Sequence, residues 1–143
     1  MPEEQRSILL VDDELVIALN EKQVLEKFCY RVTIAANRTD ALAALETGPS
    51  VDLVLMDIDL GSGMDGIETA RRILDRVDLP VVFLSSHTES SIVEQTETVS
   101  SYGYVVKSSN AAVLDASIKM AFKLFVARRE LEKRGKEIGR AHV

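Results

Sequence analysis

No apolar run in the 143 residues approaches the length of roughly 20 needed to cross a bilayer. The chain opens on Met1-Pro2-Glu3-Glu4-Gln5-Arg6, polar and acidic, and so lacks the basic and apolar regions of a secretory signal. The expectation is a cytoplasmic protein without a membrane segment. Cysteine is nearly missing too: Cys29 alone cannot form an internal disulfide, and nothing near it has zinc-ligand spacing. A small core residue near a helix end is the expected role for it. Internal repeats and low-complexity segments are absent. Basic residues are scarce over most of the length, with 9 Lys and Arg against 20 Asp and Glu in residues 1–118, a net −11. Such an acidic body is a poor nucleic-acid binder. Residues 119–143 reverse the balance, 8 against 3, for a net +5.

What is present suits one domain of ordinary size with an appended helix: 46% hydrophobic residues for a core and 28% charged residues for a surface. The organising stretch is Val51-Asp52-Leu53-Val54-Leu55-Met56-Asp57, apolar until it ends in a carboxylate. That pattern suits a central parallel strand buried on both faces. In open α/β sheets the carboxyl ends of the strands are where ligands bind.

The rest of the chain supplies four more strands and five helices. Ser7–Val11 is a short apolar strand followed by Asp12, Asp13 and Glu14. Leu15, Leu19, Val24, Leu25 and Phe28 recur at near-helical spacing. Arg31 to Ala36 reads as a strand, and Thr39 to about Glu46 as a helix stopped by Gly48-Pro49. A glycine-rich loop, Gly61 to Gly66, leads to a helix carrying Ile67, Ala70, Ile73 and Leu74. Pro80–Leu84 is a strand ending at Ser85-Ser86-His87. Residues 89–100 form a polar helix with few apolar anchors, Ile92, Val93 and Val99. Tyr102–Val106 is a fifth strand ending at Lys107, and Asn110 starts a last helix that Ser109 or Asn110 caps. Five alternations of strand and helix imply a parallel sheet with helices on both faces, because right-handed crossovers place them there.

In a parallel sheet the ends bearing Asp12 and Asp13, Asp57, Ser85 and Lys107 point the same way. Singly, each has an ordinary explanation: acids at a helix N-terminus, a turn serine, a solvated lysine. Jointly they place three carboxylates, a hydroxyl and an ammonium around one pocket. Clustered carboxylates repel one another. Mg²⁺ relieves that repulsion and leaves coordination positions for phosphate oxygens. Asp57 is then a candidate nucleophile for an acyl phosphate, with Mg²⁺, Lys107 and Ser85 meeting the charge on the oxygens.

These residues resemble a response-regulator receiver domain of two-component signalling. The matching marks are Leu9-Leu10-Val11-Asp12-Asp13, Leu55-Met56-Asp57, Met64-Asp65-Gly66, Phe83-Leu84-Ser85-Ser86 and Gly103-Tyr104-Val105-Val106-Lys107, within about residues 7–122. The resemblance implies a flavodoxin-like doubly wound sheet of order 2-1-3-4-5, to which the residues after Asn110 add an extended C-terminal helix. It implies that Asp57 accepts a phosphoryl group from a sensor histidine kinase or phosphotransfer protein. Asp13, Asp57 and the backbone carbonyl of Asp59 would ligate Mg²⁺, with Asp12 acting largely through water. Lys107 would contact the phosphoryl group, Ser85 would move towards it, and Tyr104 would rotate inward and alter the face made by the fourth helix, fifth strand and fifth helix. Tyr104 also fits an ordinary strand aromatic. By this resemblance the protein is a signalling domain and not a turnover enzyme.

Three features depart from the family. Ser108 stands where a cis-proline usually follows the lysine. The loop after Asp57 is a residue longer and lacks proline, so Gly61-Ser62-Gly63 is expected to be more mobile. Asp59 adds a carboxylate that either positions water or metal or faces solvent. His87 reads as a polar loop histidine. Two rivals remain. Asp57-Ile58-Asp59 also resembles the paired acids of haloacid-dehalogenase-type phosphatases, though their second acidic pair comes late in the chain and they carry a cap. A non-phosphorylated pseudo-receiver, acting only as an interaction module, is the other.

The domain boundary is expected near Phe125, with residues 1–124 as the receiver and 125–143 as a helical extension or linker. Leu124, Leu131 and Ile138 are spaced by seven, and Arg128–Glu132, Glu130–Arg134 and Lys133–Glu137 place opposite charges four apart. There are too few heptads for a coiled coil alone, and Gly135 and Gly139 suggest fraying. The open uses are a homodimerising stalk, a linker to a downstream domain, and a solvated tail.

Overall fold

The computed structural model describes residues 5–61, 65–86, 89–100 and 102–141, with side chains through residue 135. Ser62, Gly63, Met64, His87 and the side chain of Ile138 therefore lie outside the described residues. Strands β1 (Ser7–Val11), β2 (Arg31–Ala35), β3 (Leu53–Asp57), β4 (Val81–Ser85) and β5 (Tyr104–Val106) alternate with helices. The helices are α1 (Leu15–Lys27), α2 (Arg38–Thr47), α3 (Asp65–Leu74), α4 (Ser90–Val99) and α5 (Ala111–Ala141). All strands pair in parallel, in the order β2-β1-β3-β4-β5. This is the flavodoxin-like arrangement that the family resemblance implied.

Position in the sheet explains strand composition. Lying in the middle, β3 has both faces covered and every residue buried, as does β4. Edge strand β2 alternates instead, with Arg31 and Thr33 exposed while Val32 and Ala35 are buried. The period of two splits the core into two layers. Leu53 and Leu55 join Ile8, Leu10, Ala18, Leu25 and Ile118 beneath α1 and α5. Val54 and Met56 join Leu9, Val11, Phe83, Ala70 and Ile73 beneath α2 and α3. Each fully buried leucine of these layers contributes roughly 1.5–3 kcal/mol.

Helix α1 forms where the spacing placed it, with Leu15, Leu19 and Phe28 exposed because the face turned to the sheet runs through Ala18, Glu21 and Leu25. Three local readings need correction. Cys29 is exposed rather than part of the core. It ends α1 in the left-handed region at φ 71°, where its N–H donates to Glu26 and that of Tyr30 donates to Leu25, the Schellman pattern normally served by glycine. Helix α2 begins at Arg38 because Asn37 caps it, accepting from the Asp40 N–H at 2.8 Å. Strand β5 begins at Tyr104, not Tyr102; the Tyr102 ring leaves the sheet and packs edge-on against Phe125, centroids 5.7 Å apart.

Asn110 caps α5, its side chain accepting from the Val113 N–H at 2.9 Å. The helix then continues past Phe125 and through Gly135 and Gly139 for 31 residues, about 46 Å at the usual rise. Arg128 ties this stretch to the body, 2.8 Å from Asp78 and 5.3 Å above the Tyr102 ring.

Candidate metal centre at the strand ends

Strand parity brings the charged residues together. Asp12 follows Ile8 and Leu10 by the period of two, Asp57 follows Leu53 and Leu55, and Lys107 follows Val105, all of the layer beneath α1 and α5. Asp12 and Asp57 are almost fully buried at 0% and 1% exposure. Asp13 turns outward and is exposed. Ligand oxygens of Asp12, Asp13 and Asp57 nevertheless lie within 4.8 Å of one another.

The surroundings hold these carboxylates in place. Asp12 Oδ1 accepts the Glu14 N–H at 2.9 Å, and Asp57 Oδ1 accepts the Asp59 N–H at 3.0 Å. Asp13 Oδ2 accepts the N–H of Gly61, whose φ of 69° is one that a side chain rarely adopts. Gly61, where the glycine-rich loop begins, is thus tied to the acidic cluster. Lys107 Nζ stands 3.0 Å from Asp57 Oδ2. The Lys107 N–H donates to the Ser85 carbonyl at 2.8 Å, which joins the ends of β4 and β5. Ser85 is fully buried. Asp59 is half-buried, with Ser86 Oγ 3.5 Å from its Oδ2. Tyr104 is half-buried against the layer of α2 and α3. Ser108 follows Lys107 through a trans bond, in a turn closed by the Ser109 N–H to the Val106 carbonyl at 2.9 Å.

Electrostatics show what the cluster is suited to hold. Burial, with the neighbouring carboxylates of Asp57 and Asp13, pushes Asp12 up to about 6 despite the Glu14 N–H and Lys107. Burial pulls Lys107 down, but contact with Asp57 and the fields of Asp12 and Glu21 outweigh it, so its pKa is raised. Among the described residues, Asp12 Oδ2 is buried without a hydrogen-bond partner, and buried Asp57 Oδ2 has only the Lys107 ammonium beside it. A buried Asp12 oxygen without a partner, an Asp57 oxygen met only by the Lys107 ammonium, and a third carboxylate beside them fit a hard divalent cation with open positions, as Mg²⁺ requires.

Glu21 is a member of this neighbourhood that the sequence did not reveal. It sits on the buried face of α1 with Oε2 unpaired, and burial together with Asp12 and Asp57 pushes it up to about 7, against the pull of Lys107. Only the rotation of α1, set by Ala18 and Leu25, exposes this role. Since the folded pKa lies above the ordinary 4.5, Glu21 favours folding when protonated, and that contribution is lost as pH rises from about 4.5 through about 7. Glu21→Gln is therefore expected to stabilise the protein by about 1 kcal/mol at pH 8, after allowance for partial solvation. The gain should vanish below about pH 4.5, as checked by urea unfolding at both pH values.

The family profile described as "Response regulator receiver domain" matches residues 8–119. The chain belongs to the response-regulator receiver family. Transcriptional regulatory protein YvrH of Bacillus subtilis is 34% identical over 121 residues, covering 84% of this chain and 50% of YvrH. The solved N-terminal domain of a response regulator/sensory box/GGDEF 3-domain protein from Carboxydothermus hydrogenoformans is 42% identical, with a TM-score of 0.77, over 86% of this chain and 98% of that one. A fusion carrying residues 181–211 of the yeast Spc42 trimeric coiled coil is 38% identical, with a TM-score of 0.82, over 99% of both chains. The receiver spans only between 25% and 58% of the lengths of the curated relatives it matches. The relatives named here are a transcriptional regulatory protein and a response-regulator domain.

Proposed function

We propose that this receiver takes a phosphoryl group on Asp57 from the phosphohistidine of a sensor histidine kinase or phosphotransfer protein, in a cytoplasmic signalling step without turnover of a substrate. The observation that carries the reading is the buried Asp57 carboxylate 3.0 Å from Lys107 and within 4.8 Å of the oxygens of Asp12 and Asp13. A carboxylate oxygen of Asp57 attacks phosphorus, the phosphorus–nitrogen bond to the imidazole breaks, and an acyl phosphate forms. Mg²⁺ held by Asp12, Asp13, Asp57 and the Asp59 carbonyl would supply charge neutralisation of the phosphoryl oxygens. Lys107 neutralises a further oxygen, and the Ser85 hydroxyl donates to another.

The readout follows from the same contacts. Ser85 moving towards the phosphoryl oxygens draws on the β4 end, and Tyr104 turns inward beside it, altering the α4-β5-α5 face. Helix α4 suits a moving part, since Thr96 is its one fully buried residue. The exposed apolar side chains Leu15, Val16 and Leu19 follow directly on Asp13 and offer a histidine-bearing partner a docking face. Residues 125–143 serve as the extension or linker beyond the body, with exposed Leu124 and Leu131 available to a second copy.

Acetyl phosphate with Mg²⁺ tests this without a cognate kinase. The expected product is one base-labile phosphate per chain, abolished by Asp57→Asn and by chelation, read by intact-mass spectrometry. Phosphate elsewhere, or none, removes the phosphoacceptor reading and favours the interaction-module rival.

A further inference from the structure

At the opposite edge of the sheet, where the chain enters β1 and β2, a cleft of about 590 Å³ opens between the end of α1 and the middle of α5. Its size falls within the range of roughly 300–1,000 Å³ usual for small-ligand sites. Phe28, Tyr30 and Phe122 give it aromatic walls, and Arg6, Lys119 and Lys123 line it with positive charge. Tyr30 and Phe122 are rooted in the core at 7% exposure each, whereas Phe28 is 38% exposed.

The charge is conspicuous on a body that is otherwise acidic, and it is only partly answered. Lys119 pairs with Asp115 at 2.8 Å, and Asp115 also accepts the Tyr30 hydroxyl at 2.9 Å, so that carboxylate is already engaged twice. Among the described residues neither Arg6 nor Lys123 has an ion-pair partner. The Arg6 guanidinium instead lies 4.1 Å from the centre of the Phe122 ring, an arrangement that orders a cation without neutralising it. Ordered cations bordering aromatic walls favour an occupant that is flat, apolar in its body and negative at its edge.

We propose that this cleft binds a small aromatic anion, a flat ring system bearing a carboxylate, sulfonate or phosphate. The ring lies against exposed Phe28, beside Tyr30 and the Arg6–Phe122 stack, and the anionic group meets Arg6 and Lys123. The site is separate from Asp57 and gives the receiver a ligand input at the middle of α5, where that helix leaves the body.

Cys29 supplies a local reporter, because it borders the cleft, is exposed and is the chain's single cysteine. The test uses the full chain with anilinonaphthalene sulfonate as the aromatic anion, followed by fluorescence, and iodoacetamide as a neutral thiol reagent. Saturable binding of one probe per chain is expected, slowing alkylation of Cys29 roughly fivefold or more at saturation. Lys123→Glu should weaken binding roughly tenfold, and Arg6→Glu with Lys123→Glu should weaken it further, while an unchanged melting curve shows that each variant is folded. Should the double variant misfold, Lys123→Gln must still weaken binding by at least about threefold. Inorganic phosphate at millimolar concentration should not displace the probe, since it lacks the ring. Non-saturable binding, unprotected Cys29, equal affinity in the charge variants, or displacement by phosphate alone each overturns the proposal.

Discussion

Gly66→Ala is expected to destabilise the protein by about 3 kcal/mol and to disturb the acceptor loop with it. A Cβ at this position would overlap the Asp57 carbonyl oxygen and lie 2.7 Å from the Ile58 Cα, both backbone atoms that cannot swing aside. The Gly66 N–H donates to the Ile58 carbonyl at 3.0 Å, so the start of α3 rests directly on the segment leaving β3. Relieving the clash means moving either α3 or the backbone of Asp57. The first breaks the packing of Ile67, Ala70 and Ile73; the second displaces Asp57, the proposed acceptor. Chemical denaturation should show a lowered midpoint, and phosphorylation by acetyl phosphate should slow even in the fraction that stays folded. A variant of wild-type stability would mean that this close approach is not maintained in solution.

Lys107→Ala should slow phosphorylation of Asp57 by roughly a hundredfold to a thousandfold, the usual effect of deleting a preorganised group that meets developing charge. It has a separate consequence for the resting protein. With Lys107 gone, the buried Asp57 carboxylate loses the ammonium 3.0 Å away and remains beside two other acids. Removing one partner of such a pair costs about 3 kcal/mol when nothing replaces it. Mg²⁺ bound among the three acids would then supply the counter-charge, so the stability lost without metal should largely return on adding Mg²⁺. Melting curves with and without Mg²⁺ separate this from general misfolding. Unchanged phosphorylation kinetics would remove Lys107 from the chemistry.

The strand ends were legible in the sequence because a short apolar run stopping at an acid states both where a strand lies and where it emerges. Asp12, Asp13, Asp57 and Lys107 follow such runs, and a parallel sheet leaves them one edge to share. Helix faces were less legible. Leu15 and Leu19 have core spacing, yet Ala18 and Leu25 decide which way α1 faces, and that rotation half-buries Glu21 and exposes Leu15 and Leu19. Small residues carry little weight in a hydrophobic pattern but permit the closest approach to a sheet. The Asn37 cap, the left-handed Cys29 and the contact of Arg128 with Asp78 are single polar or conformational choices without periodicity. The last also joins residues 50 apart, which no local pattern records.

The account's central claim is that one pocket gathers a metal and a phosphoryl group between Asp57, its acidic neighbours and Lys107. A crystal structure of the chain with Mg²⁺ and beryllofluoride tests it most directly. The expected result is beryllofluoride on Asp57, its fluorines within hydrogen-bond distance of Lys107 Nζ and Ser85 Oγ, and one Mg²⁺ against Asp13 and Asp57. Mg²⁺ or fluoride bound elsewhere, with Asp57 bare, would contradict it.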